Sequence, residues 1–294
     1  MANRLGIDLG GTKIEAIIID DQFQVIKRKR TPTLRDEGYN AILHRIIDLS
    51  KEMIEIGDVD APIGICTPGT IEASTGLLKN SNTVCLIGKP IQQDLEDALG
   101  IPVLMENDAN CFALAEATIG AAKNYDVVFG VILGTGCGAG IVINKKIHRG
   151  ANRIAGEWGH HTLYQGGRDC YCGSLGCTES YISGTALEKE WKELTGEFST
   201  VTDIVNNKMH KSHPEWKENF MNNFGRALAN VIDILDPDVV VLGGGLSKVD
   251  ILYTEGLEAA YKESFSDIVV TPIIKNELGD SGGVFGAAMI KDHI

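Results

Sequence analysis

Two stretches of the chain share one arrangement of apolar and glycine positions. Residues 5–19 are mostly apolar around a glycine-rich middle at 10–13, and residues 127–143 repeat this order around Gly134, Gly136 and Gly138. The pattern predicts two β-hairpins whose tips are built from residues that tolerate positive φ angles. Because the hairpins lie about half a chain apart, they indicate a structural duplication.

Each predicted hairpin is followed by alternating helical and strand patterns. Apolar residues recur at helical spacing in 36–55, and 239–242 is a short apolar run that leads into three glycines. This alternation predicts an α/β fold with two similar halves and a cleft between them. We expect domains at 1–120 and 121–294, with the final helix packing back on the first domain. The other predicted elements are a strand at 62–67 and helices at 109–117, at 219–235 and from 282 onward.

Composition and charge narrow the possible partners. The 294 residues are 44% hydrophobic and carry a formal net charge of −13. This acidic balance disfavours nucleic acids and anionic membranes, which favour a basic surface. No apolar run reaches the roughly 18 residues of a membrane span. The first residues enter a strand pattern without a signal peptide, so we expect a cytoplasmic protein.

Four glycine-rich segments are candidates for binding nucleotide phosphates: 8–12, 134–138, 243–245 and the start of the final helix. Backbone N–H groups at glycines can approach phosphate oxygens, and Asp8 is suited to holding Mg²⁺ directly or through water. A single such turn is as often only a tight hairpin, but four at corresponding positions favour nucleotide binding. Residues 134–139 also fit the dinucleotide pattern G-x-G-x-x-A, yet a strand follows where that motif requires a helix, and no P-loop motif is present.

Asn107 and Asp108 lie between a predicted strand and a predicted helix. One interpretation is that either residue only caps the helix. In a cleft that faces a γ-phosphate, however, a carboxylate is the group needed to accept a proton from an attacking hydroxyl. Asp108 is therefore the candidate base, and Asn107 is suited to orienting a sugar hydroxyl.

A cluster of cysteines indicates a metal site. Together with Cys170, Cys172 and Cys177, His160 offers three thiolates and one nitrogen, the composition of a closed structural Zn²⁺ site. The alternatives are three reduced cysteines without metal, or His161 in place of His160. A second ring nitrogen would leave His160 free to bind a sugar hydroxyl as well.

Three further polar residues are candidate sugar ligands. Glu157 and Glu179 flank the cysteine cluster, and their carboxylates suit vicinal hydroxyls, although a single Glu is more often a solvated surface charge. Asn82 is another candidate, with a simple turn as the alternative.

The chain resembles the ROK family of repressors and sugar kinases, which has the duplicated actin-like (ribonuclease H-like) ATPase fold. The resemblance runs nearly end to end and includes the segments 8–13, 107–110, 134–136, 157–160 and 170–179. It implies two actin-like domains with a central cleft, the second carrying the zinc-binding loop. It also implies a sugar kinase that is a homodimer.

The resemblance further implies roles for individual residues. Asp108 would be the base in phosphoryl transfer from MgATP to a hexose hydroxyl, with structural Zn²⁺ beside the sugar. The sugar site would comprise Asn82, Asn107, Asp108, Glu157, His160 and Glu179. The nucleotide site would comprise Asp8, Gly10, Gly11, Thr12, Lys13, Gly134, Thr135, Gly136, Gly244 and Gly245.

Within the family, the motifs are most similar to those of bacterial fructokinases of the manno(fructo)kinase type, with N-acetylglucosamine kinases and glucokinases as alternatives. A sugar-sensing repressor is the alternative from another class. It is disfavoured because only seven residues precede Asp8, which leaves no DNA-binding domain there, and because the net charge is acidic. A catalytically dead sugar-binding protein would have lost the base or a phosphate loop, and both are present.

Overall fold

The computed structural model describes residues 3–59 and 62–293, and the described chain forms a mixed α/β structure. Its strands are β1 (Arg4–Leu9), β2 (Lys13–Ile19), β3 (Val25–Pro32), β4 (Ile63–Thr67), β5 (Thr70–Ile71), β6 (Leu78–Lys79), β7 (Val103–Asn107), β8 (Val127–Leu133), β9 (Cys137–Ile143), β10 (Lys146–Ile147), β11 (Val239–Gly243) and β12 (Ile273–Lys275). Its α-helices are α1 (Tyr39–Gly57), α2 (Ile91–Leu99), α3 (Asp108–Thr118), α4 (Glu179–Ile182), α5 (Gly184–Thr195), α6 (Val201–Asn206), α7 (Pro214–Leu235), α8 (Glu255–Glu263) and α9 (Gly282–His293).

The two halves contain five-stranded sheets with the same topology. The first sheet has the order β3-β2-β1-β4-β7, and the second has the order β10-β9-β8-β11-β12. In each sheet three strands form an antiparallel meander, and two parallel strands extend it. The predicted hairpins are β1–β2 and β8–β9, so the duplication expected from the sequence is confirmed.

Helices α3 and α9 pack against each other and against the sheets. The helix α9 lies on β1 and β4 of the first sheet, whereas α3 lies mainly on β8 and β9 of the second. Small residues allow this contact, because a Cβ atom added at Gly64 would lie 1.8 Å from the carbonyl oxygen of Ala287. Since α3 contacts both halves, the domain boundary near residue 120 stays a prediction.

Replacement of this glycine tests the close packing. We expect Gly64→Ala to lower the free energy of unfolding by about 3 kcal/mol, because the clash is with backbone and cannot be relieved by a rotamer change. Gly11→Ala is the control, since an added Cβ there meets no atom within 4 Å. Denaturant unfolding monitored by circular dichroism measures both, and equal stabilities would contradict the packing described.

Each half has its own hydrophobic core. The first core includes Ile7 and Ile65, and the second includes Trp216, Phe220 and Phe224. Among the helices of residues 3–59 and 62–293, none has the length and apolar character needed to cross a membrane.

Candidate active site

Two carboxylates lie close together where β1 and β7 end. Asp8 is near the end of β1, and Asp108 is the first residue of α3. Burial, followed by the negative charge of Asp108, raises the pKa of Asp8 to about 6. Burial also raises the pKa of Asp108. Two carboxylates that repel each other in a partly desolvated site are suited to binding a divalent cation or to accepting a proton.

Asn107 is the N-cap of α3. Its Oδ1 accepts hydrogen bonds from the backbone N–H groups of Ala109 at 2.9 Å and Asn110 at 3.1 Å. Its Nδ2 donates to the carbonyl oxygen of Gly69 at 3.4 Å. The side-chain oxygen of Asn107 therefore caps α3, in agreement with the capping interpretation. Asp108 occupies the first helical position, and its side chain is half-buried.

The tip of the first hairpin is closed by a hydrogen bond from the Gly10 N–H to the carbonyl oxygen of Lys13 at 3.0 Å. Thr12 is exposed at this tip, beside Gly11. The Lys13 ammonium lies 3.3 Å from Glu15 Oε2, a buried carboxylate. The tip thus leaves a hydroxyl and glycine backbone open to a ligand.

The second hairpin is built in a similar way. Gly134 N–H donates to the carbonyl oxygen of Gly136 at 3.0 Å, and Thr135 is exposed. Because β8 and β11 are neighbours, the glycine turn after β11 lies beside this tip: a Cβ added at Gly134 would be 3.9 Å from the nitrogen of Gly245. Gly244 has a φ of 79°, and a side chain there would clash with Leu133. Glycine at these positions keeps the backbone accessible.

Charge interactions and a shared cleft connect several of the candidate sugar ligands. Burial raises the pKa of Glu157, and the charges of Asp108 and Glu179 raise it too, while His160 lowers it. Glu179 Oε2 accepts a hydrogen bond from the backbone N–H of Cys137 at 2.7 Å, at the second hairpin. Asn82 and Glu179 line a cleft of about 670 Å³ together with Thr135 and Gly136. Residues far apart in the chain thus surround one polar cavity.

The four candidate metal ligands lie together. Their ligand atoms, from His160, Cys170, Cys172 and Cys177, are all within 4.8 Å of one another. The Sγ atoms of Cys172 and Cys177 are 3.6 Å apart, and Cys170 Sγ is 3.7 Å from His160 Nδ1. A tetrahedron with zinc–sulfur distances of about 2.3 Å has edges of about 3.8 Å, so these separations fit Zn²⁺. Burial and the two neighbouring thiols raise the pKa of Cys177 to about 12.

The two histidines have different environments. His160 Nε2 is 3.0 Å from the hydroxyl of Tyr171, whose side chain is 77% exposed. This nitrogen is the one expected to meet a sugar hydroxyl, and Tyr171 takes that place here. His161, the alternative metal ligand, lies outside the cluster: its Nδ1 contacts the carbonyl oxygen of Trp158 at 2.7 Å and its Nε2 contacts Asn230 at 3.2 Å.

Several residues near the site were not identified from the sequence. Tyr171 lies between Cys170 and Cys172 in the sequence, and this position between two candidate metal ligands indicates a place at the site. Arg168 and Lys189 line the cleft from a loop and from α5, and nothing in their local sequence distinguishes them from surface charges. Glu106 precedes Asn107, and a charged residue inside a buried strand is itself a sequence signal of a functional position.

Comparison with known proteins gives full-length matches. The ROK family model matches residues 4–293. An N-acetyl-D-glucosamine kinase from Pasteurella multocida is 38% identical over 301 residues, which cover 98% of each chain. The structure of a ROK hexokinase from Thermus thermophilus has a TM-score of 0.86 at 32% identity and covers 98% of this chain and 97% of that one. A ROK glucokinase from Streptomyces griseus, in complex with glucose and AMPPNP, has a TM-score of 0.80 at 26% identity, covering 98% of both. The predicted actin-like α/β fold is confirmed.

Proposed function

The chain belongs to the ROK family and is an ATP-dependent sugar kinase, and we propose that the sugar it phosphorylates is N-acetylglucosamine. The observation that carries this proposal is the 38% identity, over nearly the whole length, to a relative named N-acetyl-D-glucosamine kinase. The fructokinase or mannokinase predicted from the motifs has no support among the relatives reported above. The alternative prediction, an N-acetylglucosamine kinase or a glucokinase, agrees with their names.

The proposed reaction uses the carboxylates in distinct roles. Asp108 accepts the proton of a sugar hydroxyl while the oxygen of that hydroxyl forms a bond to the γ-phosphorus of ATP. The bond between the γ-phosphorus and the bridging oxygen breaks, and that oxygen leaves as part of ADP. Asp8 holds Mg²⁺, and the two glycine hairpins with Gly244 and Gly245 hold the phosphates. Positioning and charge neutralisation are the main requirements of this chemistry.

The electrostatics of the cleft favour an uncharged sugar. Asp108 interacts through its charge with Asp8 and with Glu157, and Glu157 also interacts with Glu179. A sugar acid or a sugar phosphate would add further repulsion, whereas hydroxyl and acetamido groups can hydrogen-bond to carboxylates. A hydroxyl would displace that of Tyr171 from His160 Nε2.

Zinc has a structural role in this proposal. His160, Cys170, Cys172 and Cys177 would hold it, and its charge would stabilise the crowded thiolates next to the sugar site. No reaction step passes through it. A homodimer, implied by the family, stays a proposal as well.

A coupled ADP-release assay tests the sugar. We expect the kcat/KM for N-acetylglucosamine to exceed those for N-acetylmannosamine, glucose, mannose and fructose by at least about 10-fold, since contacts to one added polar group can discriminate this strongly. Omission of Mg²⁺ is the control and should abolish turnover. Higher kcat/KM for fructose or mannose would contradict the proposal and restore the sequence-based preference.

A further inference from the structure

A partly buried ion pair, with a buried Glu106 and a half-buried Arg149, adjoins the candidate base and has no role in the reaction proposed above. Glu106 lies in β7, two residues before Asp108, and is 5% exposed. Its Oε2 accepts a hydrogen bond from Arg149 Nε at 2.5 Å, and Arg149 follows β10 in the second half. The pair therefore connects the strand that leads to the base with a loop of the other half.

The second oxygen of Glu106 holds the start of α3. Its Oε1 accepts hydrogen bonds from the backbone N–H of Asn107 at 2.8 Å and from Asn110 Nδ2 at 2.9 Å. Within the described residues the buried Oδ1 of Asn110 has no hydrogen-bond partner, so the Glu106 carboxylate alone orients that amide. Because Asn107 is the N-cap, Glu106 thus holds the backbone just before Asp108 and the Asn110 side chain just after it.

Arg149 holds the loop that leads to the sugar ligands. Its carbonyl oxygen accepts a hydrogen bond from the Ala155 N–H at 3.2 Å, which closes a loop that ends two residues before Glu157. The charge of Asp108 raises the pKa of Glu157, so the two carboxylates lie near each other. The Glu106–Arg149 pair thus connects the strand that leads to Asp108 with the loop that leads to Glu157, and both of these carboxylates would contact the same sugar.

Stability alone is a weak explanation for such a pair. A buried ion pair often adds little net stability compared with apolar side chains of similar volume, because both charges lose their hydration. We propose that Glu106 and Arg149 are positioning residues that set the separation of Asp108 and Glu157, and with it the fit of the sugar hydroxyl against the base. This inference rests on the proposed role of Asp108.

Two substitutions test the proposal, each with one end of the pair removed. Glu106→Gln keeps the shape of the side chain but removes its charge, and Arg149→Met removes a side chain that is 27% exposed and therefore easier to replace. We expect each to lower the kcat/KM for the sugar by about 100-fold, since a misplacement of about 1 Å can have that effect. The KM for ATP should change less than about twofold, because the pair lies outside the glycine hairpins. The double variant should be no worse than the poorer single one.

Glu116→Gln is the matched control. Glu116 is a buried carboxylate of α3, the helix that Asp108 begins, and its oxygens accept hydrogen bonds from the backbone N–H groups of Ala121, Glu277 and Leu278 at 2.9–3.1 Å. It should lower thermal stability without changing the kcat/KM for the sugar, measured per folded molecule. If Glu106→Gln and Arg149→Met behave like this control, the positioning role is wrong. Wild-type turnover on the sugar panel, and its loss in Asp108→Asn, separately establish the proposed function.

Discussion

Asp108→Asn is expected to lower kcat by about 1,000-fold, because a positioned base contributes roughly 100- to 10,000-fold to a reaction of this kind. The amide keeps the shape of the carboxylate and can still accept the hydrogen bond from the Ala109 N–H, which is 2.8 Å long in the wild type. It cannot take a proton from a hydroxyl. Dissociation constants for sugar and ATP, measured by calorimetry, should therefore change little while turnover in the ADP-release assay is nearly lost.

The control for this variant is Asp203→Asn, which removes an exposed carboxylate from the first turn of α6. Turnover of that control should equal the wild-type value. If Asp108→Asn also turned over at a near-normal rate, Asp108 would not be the base, and its hydrogen bond from the Ala109 N–H in the first turn of α3 would be its only role.

The same variant has a pH-dependent effect on stability. Burial and the charge of Asp108 raise the pKa of Asp8 from 3.8 to about 6, so the folded protein binds this proton more tightly than the unfolded chain. The stability that the bound proton contributes is present below pH 3.8 and is lost as the pH rises through about 6. We therefore expect Asp108→Asn to be more stable than the wild type at pH 7, with a smaller difference near pH 4. Greater wild-type stability at pH 7 would show that the two carboxylates do not repel.

The fold was predictable because its signals are local. Each hairpin is formed by one continuous stretch of apolar residues and glycines. That stretch occurs twice, and the two sheets have the same strand order. Helix starts were less accurate. The helix predicted at 219–235 begins at Pro214 in the structure. Proline suits the first turn, where its missing N–H is not needed, but the apolar spacing of that turn is too weak to predict a helix.

The predictability of the site also depended on sequence separation. Cys170, Cys172 and Cys177 are close in the chain, so their convergence follows from one loop. Glu106 and Arg149 are 43 residues apart. Glu106 stands out inside a buried strand, but Arg149 alone has the character of an ordinary surface charge, so their pairing required the sheets to be assembled. The identity of the sugar depends on cavity shape and on side-chain contacts, which motifs do not encode.

Removal of the cysteine site should have the other large effect. We expect Cys172→Ala to lose about one Zn²⁺ per chain and to become less stable by several kcal/mol, because metal binding free energy contributes directly to folding at structural sites. The KM for the sugar should rise by 10-fold or more, roughly as for disrupted ligand networks in other metal sites. The reason is that the metal site includes His160 and adjoins Glu179, two residues beyond Cys177. Metal analysis by mass spectrometry, thermal unfolding and sugar titration measure the three effects.

Two controls separate metal loss from general cysteine chemistry. Cys85→Ala removes a thiol outside the cluster and should retain zinc, stability and sugar affinity. His161→Ala should retain zinc whereas His160→Ala should lose it, because only His160 lies with the thiols. Full zinc content in Cys172→Ala would contradict the ligand set. Loss of zinc with an unchanged KM for the sugar would mean that the metal stabilises its loop alone, and that Glu157 and Glu179 hold the sugar without it.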